Sequence, residues 1–173
     1  ETVVEVPGGK LGDQPVAVAA GDLDNDGNID LVTANLGSET IAVLLNLGSG
    51  TFAAQVPEPS VAGSNGIAAG KPRSVALGDL NDDGFLDAVT ANSDDATGKS
   101  SVSVFLNDGK GKLLLATKES FLLVGADAPF QVGRQPVAVK LGDLNGDGML
   151  DIATANAYAA DGIGTISVLL SNP

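Results

Sequence analysis

The sequence predicts an all-β protein, a β-propeller built from four-stranded antiparallel blades, with three blades in this chain. Three observations lead to this fold class. An Asp-rich loop with constant internal spacing occurs three times, beginning at residues 22, 79 and 143. Short apolar and β-branched segments, which are typical of strands, flank each copy. The same order of segments then repeats around every loop, and repeated units of four antiparallel strands are the sequence signature of propeller blades.

Each unit begins with a strand that starts at a proline, namely Pro15, Pro72 or Pro136. The Asp-rich loop follows, and after it comes a second strand ending in Thr-Ala-Asn at 33–35, 90–92 or 154–156. A variable polar connection leads to a third strand at 41–45, 102–106 or 166–170. In the first two units we predict a fourth strand, near 52–56 and near either 113–117 or 121–124. The third unit stops after its third strand.

The loops are nine-residue runs with oxygen-bearing side chains at positions one, three, five and nine and glycine at position six. Hard oxygen ligands on alternate residues, with a glycine for the sharp turn, are what a loop needs to wrap Ca²⁺. We therefore predict three Ca²⁺ sites, in which position seven contributes its backbone carbonyl. The predicted ligands are Asp22, Asp24, Asp26, Asn28 and Asp30, then Asp79, Asn81, Asp83, Phe85 and Asp87, then Asp143, Asn145, Asp147, Met149 and Asp151.

Other interpretations of the loops are weaker. An isolated Asp/Asn/Gly cluster is more often a hairpin turn, but three copies with the same ligand positions favour metal binding. An EF-hand would need glutamate at position twelve, where this chain has Thr33, Thr90 and Thr154. Zinc prefers thiolate and imidazole, and the chain has no Cys and no His. No cofactor other than Ca²⁺ is expected.

We expect one partial propeller domain over residues 1–173, with blades at about 10–57, 71–125 and 134–173. Residues 1–7 have the pattern of a fourth strand and are expected to complete the third blade, which is the offset by which propellers close. A ring usually needs about four to eight blades. Two alternatives follow: two chains exchange these strands and form a six-bladed homodimer, or the chain is a fragment of a longer propeller.

Residues 15–35 and 41–52 resemble FG-GAP/VCBS repeats, the blades of integrin α-subunit-type β-propellers. The resemblance extends over essentially the whole chain. It implies a ring of about seven blades, Ca²⁺ in the loop between the first two strands of a blade, and a role in adhesion or recognition outside the cell. Three blades are fewer than such a ring contains.

The net charge of −13 argues against nucleic acid and anionic membranes as partners, because both require clustered Lys and Arg. No segment approaches the roughly 18 apolar residues of a membrane span. The first residues lack the features of a signal peptide, although a leader could have been removed. Calcium loops without the EF-hand glutamate suit the affinities of about 10⁻⁴ to 10⁻³ M found in extracellular modules. We therefore expect an extracellular, periplasmic or cell-surface protein.

A ligand-binding surface is expected on the face opposite the metal loops, where the variable connections 36–40, 57–71, 93–101, 125–134 and 157–165 lie. Each polar or aromatic residue there has a simpler interpretation as a solvated loop residue. The candidates are Lys71, Arg73, Asp94, Asp95, Lys99, Phe130, Arg134 and Tyr158.

Three functions remain open on this reasoning. The preferred one is a calcium-stabilised module that binds protein or polysaccharide. A lectin is disfavoured, because only Phe130 and Tyr158 are placed to stack on sugar rings. A polysaccharide lyase or hydrolase is least favoured, because without His or Cys it would depend on Asp94, Asp95 or Tyr158. We predict that the protein is not an enzyme and has no catalytic residues.

Overall fold

The computed structural model of the protein describes residues 12–54, 71–94, 99–116, 130–158 and 162–171. In these residues the regular structure is entirely β-strand, so the described chain contains no helix able to cross a membrane. Twelve strands are present in these ranges. They are β1 Pro15–Gly21, β2 Asp30–Asn35, β3 Thr40–Asn46, β4 Phe52–Ala54, β5 Pro72–Gly78, β6 Asp87–Asp94, β7 Lys99–Asn107, β8 Leu113–Leu115, β9 Phe130–Gln131, β10 Pro136–Gly142, β11 Asp151–Asn156 and β12 Thr165–Leu169.

The strands form three antiparallel sheets, which we call blades 1, 2 and 3. Blade 1 has the order β1-β2-β3-β4, blade 2 has β5-β6-β7-β8 with β9 also on β7, and blade 3 has β10-β11-β12. This confirms the predicted all-β fold of a partial β-propeller. A fourth strand of the second unit lies at Leu113–Leu115, within the first of the two predicted positions.

Some predictions fall outside the described residues. The alternative strand at 121–124 and the N-terminal strand at 1–7 lie there, and so do parts of the predicted limits of the three blades, 10–57, 71–125 and 134–173. These limits stay predictions.

All three blades share the same register between their first two strands. Each first strand has a register shift, a β-bulge, directly after its proline, between Pro15 and Ala17, Pro72 and Ser74, or Pro136 and Ala138. A proline has no N–H for the sheet, so it is tolerated where pairing is interrupted. Because the bulge is in the same place in every blade, equivalent side chains point to the same face.

The hydrophobic core lies between the blades. One cluster joins Val32, Ile41 and Val43 of blade 1 to Val75 and Phe105 of blade 2. A second joins Val89, Val102 and Val104 of blade 2 to Val139 and Ile152 of blade 3. The first strand of each later blade makes much of this contact, since β5 packs on β1 and β2, and β10 packs on β5 and β6. We call these two interfaces the 1–2 joint and the 2–3 joint.

Candidate metal centre

The first Asp-rich loop connects β1 to β2 and brings three carboxylates together. Asp22, Asp24 and Asp30 each place an oxygen within 4.8 Å of the other two. Asp24 is the distinctive member, because its Oδ1 is buried and has no hydrogen-bond partner. A buried carboxylate oxygen without a partner is costly, and hard oxygens around one point are the donor set of Ca²⁺. The residues of this loop therefore fit the metal predicted from the sequence.

Electrostatics in the first loop also favour a cation. Burial raises the pKa of Asp24, and the nearby charges of Asp26, Asp30 and Asp22 raise it further. Asp26 differs, because hydrogen bonds from the backbone and side chain of Asn28 hold its pKa below the ordinary value. The loop thus keeps negative charge at Asp26 beside a carboxylate whose ionised form is disfavoured. A divalent cation would relieve that repulsion.

The second and third loops repeat the hydrogen-bonded frame of the first. The position-one carboxylate accepts backbone N–H bonds from the glycine turn in every copy, for example from Gly27 to Asp22 at 2.9 Å and from Gly84 to Asp79 at 2.8 Å. At position three these two loops have an amide where the first has Asp24. Its nitrogen donates to the position-five carboxylate, from Asn81 to Asp83 at 2.9 Å and from Asn145 to Asp147 at 2.8 Å.

In each loop the carboxylate at position five accepts a short hydrogen bond from the backbone N–H of position seven. The backbone N–H of Asn28 donates to Asp26 at 2.8 Å, that of Phe85 to Asp83 at 2.9 Å, and that of Met149 to Asp147 at 2.9 Å. These bonds fix the three residues whose carbonyls the sequence assigns to the metal. The ligand role of those carbonyls stays a prediction.

Position nine has a second role that sequence reasoning missed. Asp30, Asp87 and Asp151 are fully buried, and each accepts one hydrogen bond from the backbone N–H of loop position two and another from a backbone N–H at or just beyond the end of the third strand. The donors are Leu23 and Asn46 at 2.8 and 2.7 Å, Leu80 and Asn107 at 2.9 and 2.8 Å, and Leu144 and Ser171 at 2.8 and 2.9 Å. The carboxylate therefore fastens the loop to the end of the third strand.

The surroundings of the position-nine aspartates give them different pKa values. Burial raises the pKa of Asp87 to about 6, against the opposing effect of its bonds from Asn107 and Leu80. Burial acts in the same direction on Asp151, but the bonds from Ser171 and Leu144 outweigh it, so its pKa lies below the ordinary value. The same residue type in the same frame is thus a weaker acid in blade 2 than in blade 3.

The backbone of each loop is left-handed at two positions, four and six. The sequence pattern predicted a sharp turn only at the glycine of position six. Position six has φ of 89°, 86° and 91° at Gly27, Gly84 and Gly148. Position four is also left-handed, with φ of 56°, 58° and 81°. It is occupied by Asn25, Asp82 and Gly146. Asn, Asp and Gly are the residue types that adopt this conformation most readily, which was the available signal.

The FG-GAP-like repeat family matches residues 22–90 and 79–154, which together are more than half of the chain. Each matched segment begins at one Asp-rich loop and ends in the strand that follows the next Asp-rich loop. The chain belongs to the FG-GAP-like repeat family. This confirms the resemblance identified from residues 15–35 and 41–52.

Among solved structures, the chain is similar to an Agrocybe aegerita lectin described as specifically recognising non-reducing terminal N-acetylglucosamine. The identity is 21% and the TM-score is 0.46, and the match covers 87% of this chain and 37% of the lectin chain. The chain thus spans a little over a third of the length of that structure. Curated protein sequences gave no match.

The FG-GAP-like loops also take part in the joints between blades. Leu23 and Leu80, at position two, are buried in the hydrophobic clusters of the 1–2 and 2–3 joints. Asn107 adds a polar link, because its Nδ2 donates to the carbonyl of Leu23 at 2.8 Å and to that of Leu86 at 2.9 Å. Leucine at position two of all three loops was the signal for this role. The first two loops are therefore both candidate metal sites and contacts to the next blade.

The position-nine anchor gives a prediction for blade 2. Replacing Asp87 by alanine removes the acceptors of two backbone N–H groups and should lower the free energy of unfolding by about 2 to 4 kcal/mol, even without calcium. Asp83→Ala is the matched control, because Asp83 is exposed and should cost less than about 1 kcal/mol under the same conditions. Urea unfolding in excess chelator measures both. Equal losses in the two variants would contradict the structural role of Asp87.

The opposite end of the blades carries the candidate ligand contacts. Lys71 and Arg134 are exposed there, and Tyr158 is 56% exposed. The backbone N–H of Tyr158 donates to the Arg134 carbonyl at 3.4 Å, so these two residues are neighbours. Arg73 is half-buried. The side chains of Asp94, Asp95 and Lys99 lie outside the described part of the structure.

The structure contradicts the prediction made for Phe130. The sequence placed it in a loop as a candidate for stacking on a ligand, but it lies in β9, where it pairs with Val102, and its side chain is buried in the 2–3 joint. Its aromatic ring therefore contributes to the core and is not available on the surface.

Proposed function

We propose that this FG-GAP-like repeat protein is a non-catalytic β-propeller module whose blades are stabilised by three Ca²⁺ ions and whose opposite face binds a protein or polysaccharide outside the cytosol. The observation that carries the proposal is the convergence of Asp22, Asp24 and Asp30, with a buried Asp24 oxygen that lacks a partner. The same hydrogen-bonded frame in the other two loops extends the proposal to three sites.

The bound ion would supply positive charge at the point where a loop, a third strand and the next blade meet. Ten of the 22 acidic residues are proposed ligands, and three Ca²⁺ ions would reduce the net charge from −13 to about −7. The protein's own residues attach the loops to the blades. Asp30, Asp87 and Asp151 fasten each loop to its blade, while Leu23 and Leu80 fasten two of the loops to the following blade.

The binding face is proposed on topological grounds. The metal loops join first to second strands, so the connections from second to third strands lie at the other end of each blade. Arg134 and Tyr158 are adjacent and exposed there, and an Arg next to an exposed Tyr suits the recognition of an anionic or hydroxyl-rich ligand. With Phe130 buried, Tyr158 is the exposed one of the two aromatic candidates, which weakens the lectin alternative.

Calcium titration of the chelated protein tests the metal part of the proposal. We expect three sites with dissociation constants of about 10⁻⁴ to 10⁻³ M. Asp26→Ala, Asp83→Ala and Asp147→Ala should each remove one site, because each takes the position-five carboxylate from a different loop. Isothermal titration calorimetry at high protein concentration measures the stoichiometry. A wild-type chain that binds no calcium, or variants that keep three sites, would refute it.

The binding face is tested separately. A glycan array and a polysaccharide pull-down are compared for the wild type and for the double variant Arg134→Ala/Tyr158→Ala. If the double variant loses ligand binding, the result supports the proposed face. If the double variant still binds the ligand, the binding site lies elsewhere. Release of reducing ends or unsaturated products from a bound polysaccharide would overturn the proposal that the protein is not an enzyme.

A further inference from the structure

The 1–2 joint contains a chain of hydrogen bonds that runs from the first Asp-rich loop to the second. Asp30 accepts the backbone N–H of Leu23 at 2.8 Å, and the Leu23 carbonyl accepts Nδ2 of Asn107 at 2.8 Å. The backbone N–H of Asn107 then donates to Asp87 at 2.8 Å. We call Leu23 and Asn107 the 1–2 relay, because they connect the position-nine carboxylates of the two loops.

The relay is buried and its orientation is fixed. Leu23 is fully buried and Asn107 is only 6% exposed. The amide of Asn107 is fully used, because its Nδ2 also donates to the Leu86 carbonyl at 2.9 Å and its Oδ1 accepts the N–H of Gly109 at 3.0 Å. Only the amide nitrogen is able to bridge two carbonyls. Losing any of these buried bonds is costly, so the position of Asp87 constrains the position of the Leu23 carbonyl.

A second contact joins the same two loops at their exposed turns. Asn25, at position four of the first loop, donates through its Nδ2 to the carbonyl of Gly84 at 3.4 Å. Gly84 occupies position six of the second loop and donates its own N–H to Asp79 at 2.8 Å. The two candidate metal sites are therefore connected both through the buried joint and at the surface.

The 2–3 joint has different residues at both places. Ser171 is the equivalent of Asn107, and its hydroxyl donates to Asp151 of its own blade at 3.2 Å. A serine hydroxyl has one proton to donate, so this bond leaves none for the Leu80 carbonyl. Position four of the second loop is Asp82, and an ionised carboxylate has no proton to donate to the third loop. The 2–3 joint therefore provides an internal reference for the 1–2 joint.

We propose that the first and second loops bind Ca²⁺ with positive coupling through Asn107, and that the second and third loops lack this coupling. The inference rests on the proposed function, because it concerns the same three sites. When the position-nine carboxylate of either loop is held as a ligand, the relay restricts the other one as well. Less conformational freedom then remains to be lost at the second site to fill, so its affinity is higher. By linkage, each site strengthens the other by the same factor.

Electrostatic repulsion predicts a change of the opposite sign. The first loop has four carboxylates, of which one bound Ca²⁺ neutralises two, whereas Asp26→Ala leaves three carboxylates and no ion. The first loop is then more negative, and charge alone would make the second loop bind Ca²⁺ more tightly in this variant. The relay makes the second loop bind more weakly. The sign of the change therefore separates the two causes.

An NMR titration of the chelated, ¹⁵N-labelled protein with Ca²⁺ tests the coupling, because the amides of Gly27, Gly84 and Gly148 report one loop each. A bridging hydrogen bond should give a coupling of about 3- to 10-fold. For two sites of similar affinity the midpoint changes by the square root of this factor. Asp26→Ala should therefore raise the midpoint at Gly84 by about two- to threefold and should not raise the midpoint at Gly148.

The reciprocal measurement uses the other two loops. Asp83→Ala should raise the midpoint at Gly27 by a similar factor, because coupling between two binding sites is mutual. Asp147→Ala removes the third site and should not raise the midpoint at Gly84. The comparison of these two variants separates the 1–2 joint from the 2–3 joint.

Substitution of Asn107 tests the relay itself. Asn107→Ser copies the residue of blade 3 and keeps the backbone N–H, and in this background Asp26→Ala should no longer raise the midpoint at Gly84. Asn46→Ser is the matched control. It makes the same change at the equivalent position of blade 1, where Nδ2 donates to the Ile29 carbonyl of its own blade at 3.1 Å, and it should leave the coupling unchanged.

The outcomes distinguish this inference from the proposed function. If no glycine amide responds to calcium, the proposed function is wrong and the coupling falls with it. If all three loops bind calcium but Asp26→Ala leaves or lowers the midpoint at Gly84, the metal sites stand and the coupling is overturned. This comparison does not require Asn107→Ser to fold. Equal loss of coupling in Asn107→Ser and Asn46→Ser would overturn the role given to Asn107.

Discussion

Replacing Phe105 by alanine is expected to lower the free energy of unfolding by about 3 to 5 kcal/mol. Phe105 is the largest fully buried side chain of the described residues and lies in the 1–2 joint. The substitution leaves a cavity between two sheets that cannot collapse independently, because Leu23 and Asn107 also hold the joint. Urea or thermal unfolding followed by circular dichroism measures the loss.

Phe52→Ala is the matched control for this experiment. Phe52 is the same residue type but is only half-buried on β4, so its removal should cost markedly less. Equal losses for the two phenylalanines would contradict the assignment of the joint as the main core. Unchanged stability of Phe105→Ala would contradict it more directly.

Removing calcium should lower the melting temperature by about 10 to 30 °C. With dissociation constants of about 10⁻⁴ to 10⁻³ M, about 10 mM Ca²⁺ contributes about 1.4 to 2.7 kcal/mol per site, or about 4 to 8 kcal/mol for three independent sites. For a chain of this size, 1 kcal/mol corresponds to about 2 to 4 °C. Scanning calorimetry with calcium and with excess chelator gives the comparison.

Simple screening of the net charge has to be separated from site binding. Sodium chloride at matched ionic strength reduces the repulsion within a chain of net charge −13 but cannot occupy the loops. It should therefore recover little of the lost melting temperature. Recovery by sodium equal to that by calcium, or no difference between calcium and chelator, would argue against the three sites.

The repeated elements of the fold were predictable because the pattern is local and occurs three times. Apolar strands on both sides of an Asp-rich loop defined the three hairpins, and the glycine-containing turn near Phe52 indicated β4. Strand β9 was missed, because two residues carry no periodicity and Phe130 becomes a strand residue only by pairing with Val102 of distant β7. The same pairing explains why its burial was not foreseen.

The candidate site was predictable to a similar degree. Spacing placed Asp22, Asp24 and Asp30 in one loop, where the structure brings them together. The bonds from Asn46 to Asp30 and from Asn107 to Asp87 were not predictable, because 16 and 20 residues separate the partners. Such contacts depend on how the third strand lies beside the loop, which a spacing pattern does not contain.

Leucine at position two of each loop has a consequence for how repeats are gained and lost during evolution. One segment of about sixty residues carries its own candidate ion ligands, the side chain that enters the next unit, and the glycine over which the next unit's side chain lies. A tandem duplication of its coding segment would therefore copy a complete joint together with the blade. New units could be added or lost without redesigning their neighbours, so blade number would be free to vary during evolution.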